Sequence, residues 1–423
     1  MKIIQKKLPN GLRIVMAPQA DAATATVLVL VGTGSKYETK KESGLSHFLE
    51  HMYFKGTTIR PSARIISEAL DNLGAVSNAF TSHEYTGYYA KGNPAHVDTF
   101  IDILGDIYMN STFPEKEIEK EKGVIIEEIN MYEDMPQHKV WDTLFPLMYG
   151  DQPVAWPVIG NKENVLSFTR KDFLKYQKEH YTASNTVVVV AGSFDVAVVQ
   201  QSIKKAFAAL SKEKPKAAKK VSDKQTEPKS GVFKKTTDQM HIALSFRSIP
   251  FNHSDGAAVS LLSTILGGGM SSRLFLHLRE ELGAAYYVRA EQDPFLDHGM
   301  FTITAGIDKN RYEEIMKSIV AILKEIKDTK VPAEELKKVK EYTLGMMRLG
   351  LESSDSIAGF YGTQILLKGE YKTPEQLTKE YMKVTADDIQ RVAKKIFVSK
   401  HTNLAVVGSI EKESGINDLL KSL

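Results

Sequence analysis

Two histidines and a glutamate near the start of the chain have the spacing of a metal site that activates water. His47 and His51 are four residues apart, so on a helix their side chains lie on one face. Both imidazoles could then reach one metal ion at about 2.1 Å. Glu50 would lie beside that face, where it could take a proton from an activated water. The order is the reverse of the commoner His-Glu-x-x-His motif. The alternative is a helix with two surface histidines.

A catalytic zinc ion usually has three protein ligands and one open position, so a third ligand must come from elsewhere in the chain. The stretch from Pro114 to Met131 is typical of a helix, with proline at its start and acidic residues in its first turn. Within it, Glu121 and Glu128 are seven residues apart and share a face. Such a pair could supply one ligand and one group that orients a histidine. A solvated acidic face is the alternative, and spacing leaves both open.

The elements around these residues predict both strands and helices. Asn10-Gly11 between two apolar runs indicates a hairpin, whose second strand is Leu12 to Ala17. A third strand follows from Thr24 to Val31. A loop rich in Gly, Ser and Lys, residues 32–44, then leads to a helical pattern that begins near Leu45.

The chain repeats itself at an offset near 218 residues. The aligned segments are Phe113 to Ile118 with Val331 to Leu336, and Asn185 to Ser193 with Asn403 to Ser409 after a gap of two residues. At this offset the positions of His47, Glu50 and His51 correspond to Ile265, Gly268 and Gly269, so the second copy lacks the ionisable cluster. We therefore predict an α+β fold of two homologous domains from an internal duplication, each a mainly antiparallel β-sheet packed with helices.

The predicted domain limits follow from a lysine-rich stretch at the midpoint of the chain. Residues 1–212 would form an N-terminal catalytic domain that binds zinc, and residues 213–231 a linker. Residues 232–423 would form a homologous C-terminal domain without the zinc motif, which serves substrate binding.

Composition excludes several classes of function. The 55 basic and 52 acidic residues give a formal net charge of +3, which offers no reason to expect nucleic acid or a membrane surface as partner. The chain has no cysteine, which excludes disulfides and thiolate chemistry. We see no signal peptide at Met1 to Leu8, and the apolar run from Ala22 to Val31 is too short to span a bilayer. A cytoplasmic protein is expected.

Taken together, these residues resemble the family of pitrilysin, insulin-degrading enzyme and mitochondrial processing peptidase over essentially the whole chain. The run from Gly44 to Thr57, which reads GLSHFLEHMYFKGT, is similar to the signature block of that family nearly residue for residue. The resemblance implies a third zinc ligand at Glu128, after a gap of 76 residues beyond His51, and an assisting glutamate at Glu121. It also implies that Glu50 is the general base.

Two further blocks carry the resemblance. Asn78, Ala79 and Phe80 resemble the edge strand that holds substrate in the family, although the residues alone favour an ordinary internal strand. Arg279 and Tyr286 resemble the family's Arg/Tyr pair, which would hold the substrate backbone and stabilise an oxyanion. From the residues alone, Arg279 would be a surface residue of a helix and Tyr286 a core residue.

The resemblance implies a zinc-dependent endopeptidase that hydrolyses peptides or unfolded segments inside a chamber, with one Zn²⁺ per chain. The chain is about half as long as the large single-chain members, so a homodimer is expected, with a heterodimer of related chains as the alternative. The Arg/Tyr pair could act in cis or in trans. The rival hypotheses are a non-catalytic partner subunit and a peptide-binding clamshell with structural zinc. The intact motif and the lack of cysteine argue against them.

Overall fold

The structure is a computed structural model that describes residues 2–409 and 416–423. The strands are β1 Ile4–Lys7, β2 Arg13–Pro18, β3 Ala25–Val31, β4 Val76–Thr81, β5 Thr86–Gly92, β6 Thr186–Gly192, β7 Lys229–Phe233, β8 Met240–Ser248, β9 Ala285–Pro294, β10 Gly299–Ile307 and β11 Thr402–Val407. The helices are α1 Leu45–Met52, α2 Ala63–Asp71, α3 Val97–Asn110, α4 Glu115–Asp134, α5 Pro136–Tyr149, α6 Lys162–Ser167, α7 Arg170–His180, α8 Val196–Ala206, α9 Gly256–Gly267, α10 Arg273–Phe275, α11 Tyr312–Asp328, α12 Ala333–Leu349, α13 Ser354–Lys368, α14 Pro374–Lys383, α15 Ala386–Ile396 and α16 Ile416–Lys421. A π-helical turn, Leu276–Glu281, follows α10.

The strands form two sheets of the same design. The first has the order β1-β2-β6-β3-β5-β4, and the second has the order β7-β11-β8-β10-β9. In each sheet one neighbouring pair is parallel, β2 with β6 and β7 with β11, and the other pairs are antiparallel. Apart from β1, each strand of the first sheet has a counterpart in the second. The predicted duplication and the mainly antiparallel sheets are confirmed.

Two compact units divide the chain at equivalent points of the repeat. Unit 1 comprises Met1–Ile129, Trp156–Lys219 and Arg348–Tyr371; unit 2 comprises Asn130–Ala155, Lys220–Met347 and Lys372–Leu423. Helix α5 therefore lies in the unit of the second sheet and α13 in that of the first. Their first residues, Pro136 and Ser354, are separated by the offset of the sequence repeat. The domain limits at residues 212 and 232 stay a prediction.

The centre of the first sheet is buried on both faces. Strands β3 and β6 are continuous runs rich in valine, a pattern that fits a strand covered on both sides. One face packs against α1, α3 and α4 through residues such as Phe48, Phe100 and Ile125. The other face packs against α13, where Ile357 and Tyr361 are buried. Packing against the first of these faces fixes the positions of α1 and α4.

The local predictions at the N-terminus hold with one difference. Lys7 pairs with Arg13, so the loop between β1 and β2 spans residues 8–12 and is longer than a two-residue Asn-Gly turn. Gly11 lies in the left-handed region of backbone space, with φ +103°. Among residues 2–409 and 416–423, no helix combines the length and the apolar character that crossing a membrane requires.

Candidate metal centre

The first turn of α1 is held by a buried carboxylate. Gly44 precedes the helix with φ +98°, and a Cβ there would lie 2.7 Å from the carbonyl oxygen of Ile159. Glu38 accepts hydrogen bonds from the backbone N–H of Gly44 at 2.9 Å and of Ser46 at 2.6 Å. These bonds satisfy N–H groups that a helix start leaves without partners. Burial raises the pKa of Glu38 to about 8. The start of α1, and with it His47, is thereby fixed.

The structure brings His47, His51 and Glu128 together. The Nε2 atoms of both histidines lie 3.7 Å from Oε2 of Glu128, which is longer than a hydrogen bond. One nitrogen from each ring and one carboxylate oxygen lie within 4.8 Å of one another. This arrangement suits three ligand atoms around one ion, because ligands about 2.1 Å from a tetrahedral centre are themselves separated by roughly 3.4 Å.

The environment of His47 fits a bound metal ion. Its Nδ1 atom is buried, and within the described part of the chain this atom has no hydrogen-bond partner. Burial, and then the neighbouring His51, lower the pKa of His47 to about 3, so the ring is neutral and keeps a lone pair. The nitrogen of this ring that lies near Glu128 is Nε2, so the lone pair at Nε2 is the one that a metal ion would use.

Glu121 contacts both the second histidine and a lysine. Its Oε1 atom lies 2.8 Å from Nδ1 of His51, and its Oε2 atom lies 2.6 Å from Nζ of Lys55. Burial acts to raise the pKa of Glu121, but the hydrogen bonds from His51 and Lys55 outweigh burial and lower it. Because an ionised carboxylate only accepts, Nδ1 of His51 carries a proton, and in the neutral ring the lone pair is on Nε2, the nitrogen near Glu128.

Glu50 projects from α1 beside these residues and is hydrogen-bonded to β4 of the first sheet. Its Oε2 atom accepts a hydrogen bond of 2.5 Å from the hydroxyl of Thr81, the last residue of β4. Burial raises the pKa of Glu50, and the hydrogen bond from Thr81 acts in the opposite direction. A carboxylate with a raised pKa is suited to accept a proton at neutral pH.

Strand β4, which carries Asn78, Ala79 and Phe80, lies at the edge of the first sheet. The exposure of its residues alternates, so Asn78 and Phe80 lie on the more exposed face and Ala79 on the face of Thr81. Its inner edge pairs with β5, and among the described residues no strand pairs with its outer edge. The interpretation of this segment as an internal strand is wrong for β4.

The Arg/Tyr pair lies in unit 2. Arg279, in the π-helical turn, donates a hydrogen bond of 2.9 Å to the backbone oxygen of Tyr286. Its guanidinium also lies 5.8 Å from the centre of the Tyr286 ring. Tyr286 is 69% exposed, so its interpretation as a core residue is wrong. Both side chains are adjacent and accessible, and π-helical turns often occur at functional sites.

Comparison with known proteins assigns the chain to a family. The sequence model described as Insulinase (Peptidase family M16) matches residues 13–162, and the one described as Peptidase M16 inactive domain matches residues 167–342. A Bacillus subtilis protein named uncharacterized zinc protease YmxG is 36% identical over 392 residues, which cover 93% of this chain and 95% of that protein. The chain belongs to peptidase family M16.

Another relative and two solved structures extend the comparison. An uncharacterized zinc protease of Rickettsia felis is 34% identical over 405 residues, covering 95% of this chain and 96% of that protein. A crystal structure of a Helicobacter pylori protease has a TM-score of 0.89 at 26% identity, with 96% of this chain and 99% of that one covered. A Pseudomonas fluorescens structure, titled peptidase M16 inactive domain, has the same TM-score at 18% identity and shows the M16 fold alone.

Three residues around this M16 site did not emerge from sequence reasoning as site residues. Lys55 contacts Glu121, Thr81 contacts Glu50, and Glu38 holds the start of α1. The sequence position of Lys55 is a weak indication that it lies near the site, since it follows His51 by four residues. Nothing in the spacing of Thr81 or Glu38 predicts these contacts, because both depend on elements that only the fold brings together.

Proposed function

We propose that this chain is a zinc-dependent endopeptidase. The observation that supports the proposal is the convergence of the His47, His51 and Glu128 ligand atoms, with the Glu50 carboxylate on the same helix as the histidines. In the part of the chain that the structure describes, two nitrogens and one oxygen come together without a fourth protein ligand, which matches a catalytic zinc site better than a structural one with four protein ligands. The relatives named zinc proteases agree with this choice of metal.

His47, His51 and Glu128 would hold the ion, and Glu121 would keep the His51 ring in the ligating tautomer. When bound, zinc supplies a Lewis acid that polarises the scissile carbonyl and lowers the pKa of water to about 7. In the described residues a single group of this kind comes together, which supports one zinc ion per chain.

Glu50 would perform the proton transfers. Its carboxylate would accept a proton from the water whose oxygen bonds to the scissile carbonyl carbon. The same proton would then pass to the leaving nitrogen as the C–N bond breaks, so that a carboxylic acid and an amine result. Thr81 would hold the carboxylate in place through its hydrogen bond.

Strand β4 and the Arg/Tyr pair would bind the substrate. An extended peptide could add to the outer edge of β4 next to Asn78, Ala79 and Phe80 by main-chain hydrogen bonds. Arg279 and Tyr286 would donate hydrogen bonds to the substrate backbone and to the developing oxyanion. Strand addition requires an extended segment, which favours peptides and unfolded segments over folded domains.

The remaining parts of the proposal concern the assembly. We propose a homodimer that encloses a chamber, with a heterodimer of related chains as the alternative, and a location in the cytoplasm. The non-catalytic subunit and the clamshell remain alternatives that no particular observation favours. The name "inactive domain" belongs to residues 167–342, whereas the ligand set lies within residues 47–128.

The first experiment measures hydrolysis of a quenched fluorescent, unstructured peptide before chelation, after chelation and after zinc is restored. Activity should vanish and return. Glu50→Gln should keep zinc and lower kcat by about 10²- to 10⁴-fold, the usual contribution of a general base. Glu127→Gln is the matched control, because Glu127 is an exposed neighbour of Glu128 on the same helix. Bound zinc without hydrolysis in the wild type, or full turnover in Glu50→Gln, would contradict the proposal.

A further inference from the structure

The contacts of Glu121 extend beyond the histidine to a lysine. Its two carboxylate oxygens have different partners, Nδ1 of His51 at 2.8 Å and Nζ of Lys55 at 2.6 Å. The side chain of Glu121 is only 7% exposed and that of Lys55 is 23% exposed. A buried carboxylate with both oxygens engaged has one preferred orientation, whereas the terminal torsion of a free glutamate is broad.

The backbone next to Lys55 is fixed independently of this contact. Gly56 has φ +134°, and a Cβ there would lie 2.8 Å from the carbonyl oxygen of Pro61. The carbonyl oxygen of Gly56 accepts a hydrogen bond of 3.1 Å from the backbone N–H of Thr112. The N–H of Lys55 itself donates to the carbonyl oxygen of Met52 at 3.2 Å. The lysine therefore reaches Glu121 from an anchored position.

The negative charge of the carboxylates around the ligands also favours a role for Lys55 at this site. Glu50, Glu121 and Glu128 bring three carboxylates to one partly buried region. Lys55 is the cation that contacts Glu121, and the His51 ring lies on the other side of that carboxylate. Without the lysine, the second oxygen of Glu121 would lose its donor and the carboxylate could rotate away from Nδ1 of His51.

We propose that Lys55 is a positioning residue of the metal centre, which holds the Glu121 carboxylate so that Glu121 orients His51 for zinc. The inference rests on the proposed function, because it assigns a role toward the ion that His47, His51 and Glu128 would hold. Lys55 acts through Glu121 and touches neither the substrate nor the ion.

The test compares zinc affinity in the full chain, measured by competition with a chromophoric chelator. Lys55→Met, which keeps the length of the side chain, should weaken zinc binding about tenfold, at the lower end of the effect of residues that support metal ligands. Lys55→Gln should show the same loss, and Lys55→Arg should recover most of it. The visible spectrum of the Co²⁺-loaded chain should change in Lys55→Met and return towards the wild type in Lys55→Arg.

Lys120→Met is the control, because Lys120 also contacts a glutamate of α4, Glu117 at 2.7 Å, and this glutamate is not one that contacts His51. Its zinc affinity should equal that of the wild type. Thermal unfolding of the metal-free chain is measured on every lysine variant, because removing the partner of a buried carboxylate also costs stability, and zinc affinity is compared below the unfolding transition of each variant. A loss of stability with unchanged zinc affinity would show a merely structural role and overturn the inference.

A double-mutant cycle tests the route through Glu121. In a Glu121→Gln background, Lys55→Met should cause no further loss of zinc affinity. An equal loss in both backgrounds, or wild-type affinity in Lys55→Met, would overturn the inference while the proposed function stands. A wild type that binds no zinc would overturn both. Zinc binding that depends on Lys55 in a chain without peptidase activity would support this inference and refute the proposed function.

Discussion

The hydrogen bond between Thr81 and Glu50 predicts that a strand residue controls turnover. Thr81 ends β4, and its hydroxyl lies 2.5 Å from Oε2 of Glu50. Thr81→Val removes this hydroxyl and keeps the shape of the side chain. Because the ligand histidines and Glu128 keep their own contacts, zinc binding should not change. The variant should therefore lower the rate of peptide hydrolysis without loss of metal.

The magnitude follows from the strength of a hydrogen bond to a charged group, about 1.5–3 kcal/mol. If the bond holds Glu50 in the geometry of proton transfer, the loss appears in the activation barrier. A tenfold change in rate corresponds to about 1.4 kcal/mol. The expected decrease in kcat/KM is thus about 10- to 150-fold. Thr81→Ser keeps the hydroxyl and should retain most of the activity.

The assay is steady-state hydrolysis of the quenched peptide, with zinc content and thermal unfolding measured on the same samples. Ser77→Ala is the control on β4, because Ser77 lies on the same face as Thr81 and away from its end of the strand. Wild-type kcat/KM in Thr81→Val would refute the reasoning. A loss of zinc in proportion to activity would also refute it, because the effect would then lie in the metal ligands and not in Glu50.

Two further predictions concern unit 2. Burial, with a smaller effect of Glu291, raises the pKa of Asp293 to about 6 from its ordinary value of 3.8. Because the folded state holds this proton more tightly than the unfolded state, protonation of Asp293 stabilises the fold. Its contribution to the free energy of unfolding is about 3 kcal/mol at most. The contribution is present below pH 4 and is lost as pH rises through 6. In urea unfolding, Asp293→Asn should gain stability relative to the wild type between pH 4 and pH 7, and a constant difference would contradict this. Tyr286→Phe should lower kcat about 100-fold with unchanged zinc content, as loss of an oxyanion donor does, and an unchanged kcat would exclude that role.

The local part of the site could be predicted from the sequence, and its longer-range part could not. His47 and His51 share a helical face because of their spacing alone. Whether Glu121 and Glu128 are site residues or part of a solvated surface depends on tertiary structure. Periodicity shows which residues share a helical face, but it does not show which element packs against that face. In the structure Glu121 is 5% exposed and contacts His51, so the interpretation as a solvated face is wrong for this residue.

The fold, too, could be predicted from the sequence only in part. The repeat at 218 residues predicted two sheets of one design, because duplication copies strand order together with sequence. It did not predict that α5 and α13 would each lie in the unit of the other half's sheet. Both segments have apolar residues that must be buried, such as Leu144 and Tyr361. An apolar helix face can be buried against either sheet, so the pattern of apolar residues does not show which sheet the helix packs against.

The spacing of the carboxylates on α4 explains why one helix can supply both a ligand and its support. Glu121 and Glu128 are separated by two turns, about 10.5 Å along the axis. His51 lies between them, with Nδ1 towards Glu121 and Nε2 towards Glu128. Ile125, between the two glutamates in sequence, is fully buried in the core that also contains Phe48 of α1. A shift of α4 along its axis would therefore move both carboxylates relative to the ring at once. The position of α4 thus affects both the ligand oxygen and the hydrogen bond to Nδ1 of His51, and the second copy has glycine at both positions equivalent to Glu50 and His51, just beyond the end of α9.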